Sequence, residues 1–322
     1  MEKIAIITGG NRGLGYETAK ALATDPAWAV MLACRDITAG IAAARQIKQT
    51  TGNGHIIPRY LNLASLASVR KFAADVAAAN LPPIATLICN AGVSKTTVQE
   101  RSIDGYEMTF AVNHLGHFLL TQLLLSQLTP PARILVVSSG LHDADQVAGP
   151  MQPPRYVNAE LAAHPDRDPD RPADDADAGG QAYSTSKLCN MLFTLELARQ
   201  LEAAGIEGIT VNALNPGLMA GTGLGREGKG FTRFAWYYIL PLLRPLMGNM
   251  ARTAADSGKD LAYLATAPEL ADTTATYFDG RTPAEPANAV QDRAVAAELW
   301  HSSICLTRLQ PQETILPIGA IV

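Results

Sequence analysis

Tyr183 and Lys187 stand four residues apart in Tyr183-Ser184-Thr185-Ser186-Lys187, within a segment of helical character. Side chains at i and i+4 share one helix face. A phenol ordinarily keeps its proton until about pH 10. An ammonium group alongside favours the phenolate and draws that pKa toward the range where a phenol trades protons near neutrality. A packed tyrosine beside a solvated lysine is the common meaning of such a pair, so its chemistry depends on the rest of the chain. The most informative other element is the run Thr8-Gly9-Gly10-Asn11-Arg12-Gly13-Leu14-Gly15, between the apolar stretch Ile4–Ile7 and an amphipathic one. Glycines let a backbone approach a pyrophosphate, and a following helix N-terminus offers free N–H donors and partial positive charge.

Positioning such groups requires a scaffold, and the hydropathy pattern predicts one. Candidate strands are Lys3–Thr8, Ala29–Ala33, His55–Tyr60, Thr86–Cys89, Arg133–Ser138, Thr210–Leu214 and Thr276–Phe278. Ala-rich amphipathic stretches such as Leu14–Thr24, Ala39–Gln49 and Leu66–Asn80 lie between them. Continuous apolar strands alternating with helices indicate a parallel sheet covered on both faces. The prediction is an α/β chain with a Rossmann-type doubly wound sheet of about seven strands, in one domain over 1–322. A loop insertion is expected near 140–182 and a substrate lid near 218–250. Residues 164–180, HPDRDPDRPADDADAGG, hold six Asp and three Pro with almost nothing apolar. This reads as a mobile, solvated loop. Its carboxylates lack the glycine and terminal glutamate of a calcium loop, so no metal is expected.

Composition narrows the function classes. The formal charge of −4 and pI of about 5.9 give no basic excess to attract nucleic acid. The four cysteines, Cys34, Cys89, Cys189 and Cys305, form no CxxC pair, which suits a reducing compartment and a cytoplasmic location. The first residues enter a strand directly, leaving no expected signal peptide. The most apolar run, Phe234–Met247, is broken by Pro241, Arg244 and Pro245. It reads as an apolar lid over a pocket rather than a transmembrane segment, with a buried helix or a peripheral membrane contact as alternatives.

The spacing Thr8-Gly9…Gly13…Gly15 resembles the cofactor turn of the short-chain dehydrogenase/reductase superfamily. Other motifs of that family follow in order: Asn90-Ala91-Gly92 after the fourth strand, Asn113 in a helix, Ser139 closing the fifth strand, Tyr183 with Lys187, and Pro216-Gly217. The resemblance covers roughly residues 3–280. It implies four catalytic residues: Tyr183 as acid/base, Ser139 as oxyanion donor, Lys187 as the cation that lowers the tyrosine pKa and holds the nicotinamide ribose, and Asn113 as the holder of a relay water. Ser139 is preferred to Ser138 because the family serine is usually the second. The cofactor contacts it implies are Thr8, Gly9, Asn11, Arg12, Gly13, Leu14, Gly15, Arg35, Asn62, Leu63, Asn90, Ala91, Gly92, Tyr183, Lys187, Pro216, Gly217, Met219 and Thr222. Asn62 stands where many relatives carry Asp. Arg35, with Arg12 in the glycine turn, suits a ribose 2′-phosphate, so the expected cofactor is NADP(H). His114 and His117 read as packed structural histidines rather than metal ligands.

Longer strings resemble the retinol dehydrogenase and light-dependent protochlorophyllide reductase branch, among them Ala33–Asp36, Leu63–Arg70, Asn113–Leu120, Lys187–Leu192 and Pro216–Leu224. Those photoenzymes carry a cysteine directly after the Pro-Gly pair, whereas this chain has Leu218. The resemblance therefore implies an NADPH-dependent carbonyl reductase acting on a small, bulky, lipophilic substrate, with C=C reduction of protochlorophyllide as the alternative. A cofactor-sensing module without turnover is the reading from another class; such proteins tend to lose the Tyr or the Lys, and both stand here. A monomer or a homodimer is expected. Ser139 precedes Tyr183 by 44 residues, a wide gap for the superfamily.

Overall fold

The computed structural model describes residues 2–147, 151–219 and 251–318. Its strands are β1 (Lys3–Thr8), β2 (Trp28–Cys34), β3 (Ile56–Tyr60), β4 (Ile84–Cys89), β5 (Leu128–Val137), β6 (Ile209–Asn215), β7 (Tyr277–Asp279) and β8 (Thr282–Ala284). They form one sheet in the order β3-β2-β1-β4-β5-β6-β7-β8. The strands from β1 to β7 pair in parallel, as the apolar runs predict. The sheet has one strand more than the seven expected. Gly280, at φ +64°, turns the chain back so that β8 pairs antiparallel with β7. A strand of three residues at a sheet edge, partly exposed, leaves no hydropathy signature of its own.

Helices cover both faces because successive strand residues point to opposite sides. Ala5 and Ile7 of β1 pack toward α1 (Gly13–Leu22), α2 (Ile37–Thr51) and α8 (Ala254–Thr266). Ile4 and Ile6 pack toward α3 (Leu66–Ala78), α5 (Gly116–Leu124) and α7 (Asp175–Ala203), with Phe118, Phe193 and Trp300 in one aromatic cluster. The last long helix, α9 (Arg293–Thr307), lies against α7 and contributes Trp300 and Ile304 to that core. Local chemistry sets the helix starts. Asp36, Ser65 and Asp174 each accept a first-turn N–H of α2, α3 and α7. Arg70 of α3 closes the fold by gripping Glu313 with two hydrogen bonds, at 2.7 and 3.0 Å, and the carbonyls of Thr307 and Arg308.

The acidic stretch is mostly exposed, but it carries regular structure: it follows a short helix, α6 (Ala159–Ala163), makes a single tight turn at Pro165–Arg167, and from Asp175 onward forms the start of α7. The carboxylates have partners. Asp166 pairs with Arg101 at 2.5 Å, Asp168 and Asp170 pair with Arg155, and Asp174 caps α7. Asp175 and Asp177 lie in the first turn of α7, where the helix dipole favours negative charge. The apolar segment Phe234–Met247 and Thr222 lie outside the described residues. No helix among the described residues is long and apolar enough to cross a membrane.

Candidate functional site

In a parallel sheet the carboxyl ends of the strands share one edge, and six of them lead into predicted residues there, β2 into Arg35 and β3 into Asn62-Leu63 among them. β1 leads into the glycine turn, β4 into Asn90-Ala91-Gly92, β5 into Ser138-Ser139, and β6 into Pro216-Gly217.

The glycine turn is shaped by close approach. Gly9 lies at φ +67°. A Cβ on Gly15 would fall 2.5 Å from Asn90 Nδ2 and 2.7 Å from the Gly9 carbonyl oxygen, so no larger residue fits. Thr8 Oγ1 accepts the N–H groups of Asn90 and Ala91, each at 2.9 Å, and Asn90 Nδ2 donates to the Thr8 carbonyl at 2.7 Å. Thr8, Leu14 and Gly15 are buried; Asn11 and Gly13 are half-buried and Arg12 is exposed. No side chain caps α1, in contrast to α2, α3 and α7. A helix N-terminus without a side-chain cap, behind a turn closed at Gly15 against Gly9 and Asn90, is the donor set a pyrophosphate requires.

At the end of β2, Asp36 is committed: its Oδ1 accepts the Ala39 N–H at 2.9 Å. Arg35 is exposed and makes no hydrogen bond or ion pair to the described residues. Asn62 is half-buried, its Oδ1 accepting the Ala64 N–H at 3.2 Å, and Leu63 is buried beside it. Gly217, at φ +76°, donates its N–H to Asn215 Oδ1, and Ser257 Oγ holds the Pro216 carbonyl at 2.7 Å. Met219 is buried.

Asn113 and Lys187 converge beside Gly92: a Cβ there would sit 3.4 Å from Asn113 Oδ1 and 3.9 Å from Lys187 Nζ. Asn113 lies in a widened π-type turn, Ala111–Leu115, inserted between α4 (Met108–Phe110) and α5. Such turns recur at functional sites. Its Oδ1 accepts the Val93 N–H at 2.8 Å, while Nδ2 donates to the Val93 carbonyl and to Ser186 Oγ. Ser186 in turn donates to the Tyr183 carbonyl at 2.7 Å, so Asn113 fixes the helical turn that carries the tyrosine. Oδ1 keeps a second lone pair, which a water beside Lys187 requires.

Lys187 is 4% exposed, and its Nζ donates to the Val137 carbonyl at 3.1 Å. Burial lowers its pKa to about 8. Tyr183 is half-buried, with Nζ 5.5 Å from its ring centroid, and its hydroxyl has no hydrogen-bond partner among the described residues. The expectation that Lys187 draws the phenol down is not met in this arrangement. Burial raises the Tyr183 pKa, because desolvation disfavours the phenolate while the ammonium is turned toward Val137.

The two serines separate cleanly. Ser138 is buried and its Oγ donates to the Lys187 carbonyl at 2.9 Å. Ser139 is half-buried; its Oγ accepts the Leu141 N–H at 3.3 Å, and its own proton is unspent among the described residues. Sequence reasoning missed Ser186 as the link from Asn113 to the tyrosine. It also missed His142, whose Nδ1 lies 2.7 Å from the Ser139 carbonyl and whose Nε2 accepts the Ala287 N–H at 3.1 Å. The only signal available was its place three residues after the serine. His114 and His117 are buried, as expected; burial holds the His114 pKa down to about 3 and the His117 pKa down to about 4.

The short chain dehydrogenase family model matches residues 3–151. Human retinol dehydrogenase 13 is 38% identical over 314 residues, covering 96% of this chain and 85% of the relative. Protochlorophyllide reductase B of rice is 36% identical over 276 residues, covering 83% and 66%. Among solved structures, a blue fluorescent protein from a metagenomic library in complex with NADPH aligns with a TM-score of 0.61 at 22% identity, over 86% of this chain and 96% of that one.

Proposed function

The chain belongs to the short-chain dehydrogenase/reductase family of oxidoreductases, in the retinol dehydrogenase and protochlorophyllide reductase branch, and from that premise we propose that it reduces the carbonyl of a bulky, lipophilic substrate with NADPH. The observation that carries this reading is the convergence of Asn113 and Lys187 beside Gly92, on the helix face that also bears Tyr183 with an uncommitted hydroxyl. The cofactor, when bound, supplies the hydride. Arg35 supports the choice of NADPH over NADH. Its guanidinium is free to meet a 2′-phosphate, while the neighbouring carboxylate of Asp36 is spent on capping α2.

The residues divide the remaining work. Ser139 offers its unspent O–H to the substrate oxygen and stabilises the charge that develops there. Tyr183, kept protonated by burial, is a proton donor rather than a base in the resting site. Lys187 at about 8 keeps its proton through most of the neutral range and stabilises the phenolate left after transfer. Asn113 and Ser186 hold the tyrosine's turn in register. The lipophilic substrate class rests on the 38% identity to human retinol dehydrogenase 13 over nearly the whole chain.

Reduction of protochlorophyllide is the second reading, favoured by the similarity to the rice reductase and set against Leu218 after Pro216-Gly217. The test is a panel of retinal, aromatic ketones and protochlorophyllide with NADPH and with NADH, in the dark and under illumination. NADPH consumption with retinal or a ketone in the dark is the expected result. Light-dependent loss with protochlorophyllide alone selects the second reading. Cofactor binding without turnover selects a sensor. Tyr183→Phe should lower turnover by about 10²–10⁴-fold with NADPH affinity retained. Arg35→Asp should weaken NADPH by tenfold or more, about 1.4 kcal/mol, and spare NADH.

A further inference from the structure

His117 is 2% exposed and sits one helical turn after Asn113. Its Nδ1 lies 3.0 Å from the Asn113 carbonyl and its Nε2 lies 2.8 Å from Thr8 Oγ1, 109 residues away in sequence. The partners fix its protons. A carbonyl oxygen can only accept, so Nδ1 carries the hydrogen and Nε2 is bare. Thr8 Oγ1 already receives the N–H groups of Asn90 and Ala91, which fills its lone pairs. Its single proton therefore goes to Nε2, in preference to the Ile88 carbonyl at 3.3 Å. The protons in the chain of bonds between Asn90, Ala91, Thr8, His117 and Asn113 therefore all run in one direction, toward the Asn113 carbonyl.

We propose that His117 is a positioning residue that locks the cofactor turn after β1 to the helix turn bearing Asn113, so that cofactor docking and the placement of Asn113 beside Lys187 are set by one hydrogen-bond relay. The proposal deepens the function given above and rests on it where it concerns the cofactor. Both sides of the relay border the site. Thr8 anchors the first residues of the glycine turn and of Asn90-Ala91-Gly92, while Asn113 reaches Val93, Ser186 and, through Ser186, the Tyr183 carbonyl. Protonation is incompatible with the relay, since a second ring N–H would face an oxygen with no acceptor capacity left. The titratable groups that act on the ring, His114 of the π-type turn just before it and Lys187 of α7, both oppose added positive charge. His114 is a natural control. It is as deeply buried and hydrogen-bonds Ser303 Oγ at 2.8 Å, away from the relay.

The test compares His117→Phe, His117→Gln and His114→Phe for NADPH dissociation constant by fluorescence titration and for melting temperature without cofactor. Phenylalanine fills the space and removes both bonds; glutamine keeps a donor and an acceptor. The expected result is that His117→Phe raises the NADPH dissociation constant about tenfold or more, a loss matching one unpaired buried polar group. His117→Gln should recover most of that affinity, and His114→Phe should lower the melting temperature with affinity within about twofold. A long-range proton–nitrogen spectrum of the wild-type protein provides a measurement that needs no variant: His117 should be the neutral Nδ1–H form from pH 8 to pH 5. Equal effects of the two phenylalanine variants on affinity, or an Nε2–H tautomer, would overturn the proposal. Absence of NADPH binding by the wild-type protein overturns the proposed function instead, and the tautomer then decides by itself whether the relay exists.

Discussion

The turn after β1 and the segment between β5 and α7 both border the candidate site, and they are held by different means. The turn is held by backbone proximity: Gly15 against Gly9 and Asn90, with one threonine hydroxyl taking two N–H groups. The segment is held by side chains. Arg155 reaches Asp168 and Asp170, Arg101 reaches Asp166, Gln152 reaches Asp177, and Tyr156 hydrogen-bonds Glu298 of α9. Besides the Gln152–Asp177 bond, the segment is tied to α7 by a pair of bonds between Thr185 Oγ1 and the Arg155 N–H and carbonyl, at 3.0 and 3.2 Å, two residues from Tyr183. A turn packed without slack has little freedom to change the group it holds, whereas a segment pinned by partly exposed ion pairs can change its contacts at little energetic cost. The contrast suits a site whose cofactor half is fixed and whose substrate half is adjustable.

The largest expected effect breaks the rigid side. Gly15→Ala places a methyl group within 2.5 Å of Asn90 Nδ2, so either the turn or Asn90 must shift. NADPH affinity should fall by well over tenfold, and the melting temperature should drop several degrees, by an amount matching about 1–3 kcal/mol of overpacking. Isothermal titration and calorimetry check both, and unchanged affinity would remove the argument for a tight cradle. An intermediate effect comes from pH. An unfolded histidine binds a proton near pH 6.5, but His114 does so only near 3 and His117 near 4. Between those values the unfolded chain binds more protons, so stability falls as pH drops from 6.5 toward 4, by up to about 1.4 kcal/mol per unit and histidine. Urea midpoints across that range should show a shallower decline in His114→Leu than in the wild-type protein. The smallest effect concerns the adjustable side. Arg155→Ala should cost under about 1 kcal/mol of stability, since its partners are partly exposed. It should alter KM for the lipophilic substrate while KM for NADPH stays constant, and equal changes in both would erase the proposed division.

The sheet was legible because its strands are largely apolar on both sides and its glycine turn stands between an apolar strand and an amphipathic helix. The site edge was legible for the same reason: the motif residues stand at strand ends, and strand ends in a parallel sheet meet. Three features were hidden. The edge strand Thr282–Ala284 is too short and exposed to mark itself. The pairing of the acidic stretch was hidden because its partners, Arg101 and Arg155, lie outside it, and ion pairs across such gaps leave no periodicity. The state of Tyr183 was hidden because a spacing of four gives proximity but not direction: Lys187 spends its proton on Val137, and burial then dominates the phenol.

The grip of Arg70 on Glu313 and on the carbonyls of Thr307 and Arg308 sets a schedule for biosynthesis. The two partners are 243 residues apart, so at about 5–20 residues per second Glu313 leaves the ribosome roughly 10–50 s after Arg70. For nearly all of that interval the α3 side of the young sheet is without the α9 residues Trp300 and Ile304 that later cover it. A nascent chain stalled in this interval should be a better chaperone client than the finished protein.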